Sequence, residues 1–255
     1  MKLLQKLMLL SLPFLAACGG GSDDKTCSTD FGTLTKSCVQ NTSHALPEGI
    51  WYGSVNSAQS LAAQTIVLET GQYFSIFTSG GSFVWMIEGI MTATDGKLSD
   101  STTTGFHALG AIRGGTLSGS FASQSTLAAT TSLFVSPDTT PTSFNGNYNA
   151  TYDTPISTSD VARTWTSASG VTPVSTITFA ADGTANGVQS ACTFSGSFRP
   201  RASGKHLLDG TLNFTGSSCA LDNVSMPVEA TVVNGQLTVV GVTTQRDQAF
   251  YLSAQ

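Results

Sequence analysis

Charge is what this 255-residue chain lacks most: Asp, Glu, Lys and Arg together make up only 11% of it, with 11 basic against 16 acidic side chains. An acidic chain this sparsely charged has no basic stripe to follow a phosphate backbone, so nucleic acid is excluded as a partner. Histidine is scarce too: His44, His107 and His206 lie in separate segments, an unpromising start for a three-histidine metal centre. Five cysteines contain no C-x2-C spacing, so a zinc reading fails. No P-loop, no G-x-G-x-x-G after a strand and no H-E-x-x-H occurs. No serine has glycine at both −2 and +2, which removes the hydrolase nucleophile elbow. Ser22-Asp23-Asp24-Lys25 matches S-x-x-K only in form, within a polar stretch that could not depress a lysine pKa. No catalytic residue and no metal ligand is therefore assigned.

Long apolar runs are also missing beyond the first residues, so no helical membrane span is expected. The exception is the start, MKLLQKLMLLSLPFLAACGGGSDD. Lys2 and Lys6 precede an apolar run from Leu7 to Ala17, too short to cross a bilayer but with the anatomy of a secretory signal. The run ends at Leu15-Ala16-Ala17-Cys18, which resembles the lipobox of bacterial lipoproteins. The resemblance implies cleavage after residue 17 and a covalent lipid on the Cys18 thiol as the only added group. Loss of Lys2 and Lys6 leaves 9 basic against 16 acidic side chains, so attachment must come from acyl chains rather than charge. Gly19, where Asp would signal inner-membrane retention, implies the outer membrane by the same resemblance.

Four cysteines remain after Cys18, an even number for an oxidising compartment. Proximity suggests Cys27–Cys38 and Cys192–Cys219, although three pairings are formally open. Loops of these lengths would add about 3 and 3.5 kcal/mol on the chain-entropy picture.

Ser and Thr supply 69 residues and Gly another 26, a composition that favours strands and turns. Residues 18–48 read as a lipidated tether containing the small Cys27–Cys38 loop. From residue 49 short alternating segments recur between Gly, Asp and Asn turns, among them Asp95-Gly96, Asp182-Gly183 and Asn234-Gly235. SPDTTPTS at 136–143 reads as a linker, because it carries Pro137 and Pro141 and no apolar side chain. The expectation is an all-β, antiparallel chain with two small barrels or sandwiches in tandem, residues 49–135 and 144–255, the second opening on FNGNY. A single large barrel stays open as the alternative. The pattern of anchor, tether and β-body is similar to the two-barrel surface lipoproteins of Gram-negative bacteria, including the transferrin-binding and complement-factor-binding types. No binding motif carries their partners over.

Two features stand above background. Aromatic residues concentrate between Trp51 and Trp85, with Tyr52, Tyr73, Phe74, Phe77 and Phe83 among them. Glu88 sits in the most apolar segment, FVWMIEGIM, where alternation puts Phe83, Trp85 and Ile87 on one face and Val84, Met86 and Glu88 on the other. Buried there it needs a partner, for which Arg113 is a candidate. Trp51, Tyr73, Trp85 and Glu88 are the candidate ligand-binding residues. The sequence thus points to a non-enzymatic binding or interaction module at the cell envelope, its partners the membrane through the lipid and an unidentified protein. The alternative is a lipocalin-like carrier of a small hydrophobic ligand in the N-terminal β-domain.

Overall fold

In a computed structural model the described residues are 25–30, 35–40, 45–56, 60–108, 112–134 and 141–255. The expected signal segment 1–17, the expected lipidation site Cys18 and tether residues up to 24, His44 and most of the 136–143 stretch lie outside them. The chain divides into two units, residues 1–42 and 43–255. In the first, β1 (Lys25–Asp30) pairs antiparallel with β2 (Thr35–Gln40), and Cys27 stands directly opposite Cys38 on the ladder.

The second unit begins with an eight-stranded closed barrel, hereafter barrel 1. Its strands are β3 (Gly49–Asn56), β4 (Ala62–Val67), β5 (Gln72–Ser79), β6 (Ser82–Ile90), β8 (Lys97–His107), β9 (Ile112–Ala122), β10 (Thr126–Leu133) and β11 (Thr142–Tyr148). A short β7 (Thr92–Thr94) hangs on the edge of β8. Every pairing is antiparallel, and the ring closes where β6 meets β8, from Trp85 opposite His107 to Glu88 opposite Thr104. Asp95 and Gly96 both take positive φ (51° and 71°) in the hairpin between β7 and β8, the geometry that matches the twist of paired strands.

The boundary between the halves differs from the sequence expectation. FNGNY does not open the second β-domain. It forms β11, which pairs with β10 on one side and β3 on the other, and so completes barrel 1. Phe144, 2% exposed, supplies the core residue the ring would otherwise lack. The proline-bearing stretch therefore connects two neighbouring strands of one barrel. The crossing between barrels comes later, through a 3-10 turn at Ala150–Asp153 and the single-turn helix α1 (Thr158–Val161). Asn149 Oδ1 caps that 3-10 turn by accepting from the Thr151 amide at 3.0 Å.

A bulge also overturns one detail of alternation. Between β5 and β6 the register runs Phe77–Trp85 and then Thr78–Phe83, which leaves Val84 without an opposite residue. The extra residue flips the strand end. Trp85 and Ile87 remain inside barrel 1, but Phe83 turns to the outer face and stacks on Tyr251, ring centroids 5.2 Å apart.

Barrel 2 is a sequential meander: β12 (Thr164–Thr166), β13 (Ser175–Phe179), β14 (Thr184–Gln189), β15 (Cys192–Pro200), β16 (Leu208–Thr215), β17 (Ser225–Val233), β18 (Gln236–Val242) and β19 (Ala249–Ala254). It is nearly closed. Thr166 and Gln255 exchange two backbone hydrogen bonds (3.3 and 3.0 Å). Higher in the seam, side chains stand in for a strand: Ser167 Oγ donates to the Ser253 carbonyl at 3.2 Å, and Gln189 Nε2 to that of Tyr251 at 2.7 Å. The edge carbonyls are thereby satisfied rather than left to recruit another chain. Inside, Trp165, Ile177, Phe194, Leu212, Phe214 and Phe250 pack as one cluster, and the Cys192–Cys219 disulfide ties the start of β15 to the β16–β17 loop. Asn234 and Gly235 form the positive-φ turn their sequence indicated.

The two barrels meet through their outer walls. Ile50, Ile66, Ile76 and Met86 of barrel 1 join Val233 and Val240 of barrel 2, with Tyr152 and Leu207 filling the junction. All are at most 2% exposed, and each such aliphatic side chain contributes about 1.5–3 kcal/mol on leaving water.

Candidate functional site

Strand alternation carries Trp51, Tyr73 and Trp85 into the interior of barrel 1. There they pack into one apolar cluster. Trp51 and Tyr73 are fully enclosed among Val67, Phe77, Leu117 and Phe144, and the Trp51 indole donates to the Pro47 carbonyl at 3.0 Å. Trp85 lies nearer the rim, stacked on Phe77 with centroids 4.2 Å apart. The Tyr73 hydroxyl donates to Asp100 Oδ2 (3.0 Å) and meets Thr103 Oγ1 (2.8 Å). Burial, with the Asp100 charge beside it, pushes this phenol well above its ordinary pKa. Asp100 also accepts from the Thr102 amide and hydroxyl, so both of its oxygens are in use.

Glu88 belongs elsewhere. It is only 2% exposed and points from the outer wall of barrel 1 towards barrel 2. Its partner is Arg246, not Arg113. Arg246 Nε donates to Glu88 Oε2 at 2.6 Å, Nη2 to the Glu88 carbonyl at 2.8 Å, and Gln72 Nε2 to Glu88 Oε1 at 3.0 Å. Arg113 stands opposite Gly105 on the β8–β9 ladder, and Gly105 faces Leu133 of the interior cluster. The sequence-derived set is therefore split: three aromatics fill a core and one carboxylate joins two barrels.

A second polar cluster on the same junction escaped the sequence reading. Arg201, in the β15–β16 loop, donates from Nε to Glu69 Oε2 at 2.8 Å. Its Nη1 reaches Asp209 Oδ1 at 2.7 Å and Glu229 Oε2 at 3.2 Å. Glu69 sits in the β4–β5 turn of barrel 1 and also accepts from the Ser203 hydroxyl. Asp209 and Glu229 are direct cross-strand neighbours on β16 and β17. Burial, reinforced by the Asp209 charge, pushes the Glu229 carboxyl up to about 8 against the pull of Arg201, whereas Glu69 is held below the usual range by Ser203 and Arg201. Nearby, Lys205 bridges Glu48 (3.5 Å) and Asp153 (3.1 Å) and lies over the Tyr152 ring. The signal was present in Arg199-Pro-Arg-Ala-Ser-Gly-Lys-His206, four basic or titratable residues in eight within a chain short of charge.

The described histidines do not converge: His107 lies on β8, and His206 binds the Thr154 and Val232 carbonyls at 2.9 Å each. Among the described residues no group of three His, Cys, Asp or Glu side chains is placed to hold a metal ion. Large apolar side chains are exposed on both barrels, Ile90 (61%), Ile112 (43%) and Phe134 (65%) on barrel 1 and Val174 (64%) and Val188 (47%) on barrel 2; at the rim of barrel 1, Phe134 and Ile112 flank Gly114. The Phe134 amide donates to the Gly114 carbonyl at 2.8 Å, which sets Phe134 beside Gly114, two residues along β9 from Ile112. No protein-family model, no curated protein and no solved structure matches this chain.

Proposed function

We propose that this protein is an outer-membrane-anchored lipoprotein whose two-barrel body is a non-enzymatic interaction module, with the Phe134–Ile112 rim of barrel 1 as its contact surface. The observation that carries the reading is that exposed pair. A well-packed barrel gains nothing by holding a phenylalanine in water, and large apolar side chains fixed on a rigid rim serve as anchors for a macromolecular partner. The anchor half of the proposal rests on Leu15-Ala16-Ala17-Cys18 and the tether after it. The close packing of Trp51 and Tyr73 among other core side chains favours a surface contact over lipocalin-like carriage.

Two measurements test the two halves separately. Cys18→Ser should move the folded protein from the membrane to the soluble fraction; a variant that stays with the membrane defeats the lipid anchor. A photo-crosslinking amino acid replacing Phe134 should trap a discrete adduct in intact cells, where the same group at exposed Thr193 of barrel 2 should not. Equal labelling at both positions counts against the rim. Protease treatment of intact and permeabilised cells then tells which side of the membrane the contact is made on.

A further inference from the structure

We propose that the Arg201 cluster is a proton-operated latch between the two barrels, closed by a protonated Glu229 and weakened when Glu229 ionises. The geometry sets up the competition. One guanidinium serves three carboxylates, and only one of them, Glu69, belongs to barrel 1. With Glu229 neutral, the Arg201 charge is divided between Asp209 and Glu69. With Glu229 ionised, barrel 2 presents two adjacent carboxylates to the same guanidinium, and the pull on Glu69 across the junction falls.

The groups facing Glu229 come from three sides. Asp209 is its neighbour on β16, Arg201 and Ser203 approach from the β15–β16 loop, and Glu69 approaches from barrel 1. On β18 the opposite residue is Val240, which brings no charge. Lys205, with Glu48 and Asp153, forms the adjoining ion pairs of that loop.

The direction follows from linkage. Opening of the latch takes away burial, the main cause of the rise, so the Glu229 carboxyl moves back towards the ordinary value of 4.5, while in the closed latch it is pushed up to about 8. Between those values the closed form holds a proton that the open form has lost, so closure weakens as pH rises. The closed-to-open ratio falls by at most about tenfold per pH unit in this window and levels off above it. Glu69 acts in the opposite sense at a different pH: its lowered pKa makes its contribution disappear only under acid conditions, below the ordinary carboxylate range.

Amide hydrogen exchange on the full chain, read as protection relative to unstructured peptide at each pH, follows the latch through the Glu69 turn and the Arg201–Leu207 loop. Protection there should fall from pH 5 to pH 8 and then level, while Glu229→Gln should keep it high and flat. Identical pH responses of the two proteins overturn the latch. Should the variant not fold, carboxyl-13C titration of the wild type decides: the chain has four glutamates, and the Glu229 signal should titrate near 8. A Glu229 midpoint in the ordinary carboxylate range overturns the proposal.

Discussion

At the scale of single residues, the junction between the barrels separates groups that are satisfied from one that is not. The Tyr152 hydroxyl is buried with no hydrogen-bond partner, in a ring that is otherwise well used under Lys205 and beside the apolar layer. Removing an unpaired buried hydroxyl relieves its desolvation cost, so Tyr152→Phe should leave stability unchanged or raise it by about 1 kcal/mol in denaturant unfolding. Arg246 is the converse case. Arg246→Ala strands Glu88 in an apolar wall with Gln72 alone, and the expected loss is about 3 kcal/mol. Adding Glu88→Gln to that variant should recover part of the loss, since the stranded charge causes most of it. A double variant no better than the single one would show that Arg246 acts through packing. Gly89 has a third kind of constraint. A Cβ there would lie 1.9 Å from Asp100 Oδ2 and 2.9 Å from the Tyr73 hydroxyl. Gly89→Ala should therefore break the Tyr73–Asp100 hydrogen bond, and ultraviolet titration should show a tyrosine ionising closer to its ordinary pKa.

Single elements show how far the amino-acid sequence alone could be read. Hairpins with positive-φ chemistry, Asp95-Gly96 and Asn234-Gly235, were legible because two adjacent residues suffice to specify them. Cys192–Cys219 was legible from spacing. Its removal by paired Cys→Ala substitution should cost about 3.5 kcal/mol in reversible unfolding, read as a lower denaturant midpoint. β11 was not assigned to its barrel, because membership depends on a partner far away in the chain: Gly146 lies opposite Gly53 and Tyr148 opposite Trp51, and no local pattern encodes that. The bulge at Val84 was equally hidden, since alternation predicts faces only while the register holds. Of the candidate site, the need of a buried Glu88 for a partner was readable and the partner was not, because Arg246 comes from a loop 158 residues away. The Arg201 cluster was present as a run of charge, but its three carboxylates arrive from three separate elements.

For the molecule as a whole, the apolar layer and the two ionic clusters make barrel 1 and barrel 2 a joined body, so damage at the junction should be felt by both. Met86→Ala, at a fully buried position of that layer, should lower stability by about 2–4 kcal/mol, and hydrogen exchange should rise in β18 of barrel 2 as well as in β6. A rise confined to β6 would mean that the barrels unfold independently. The order of strands around barrel 1 has a mechanical consequence. β3 is the first strand after residue 45, and it is laddered along its length to β4 on one side and β11 on the other. A pull entering through the preceding residues, with the barrel held by a partner, acts along β3 and loads the rungs of both ladders in shear at the same time. Peeling would break them one after another at far lower force. The first strand of barrel 1 is thus gripped on both sides at the point where tension entering from the N-terminal side would first be felt.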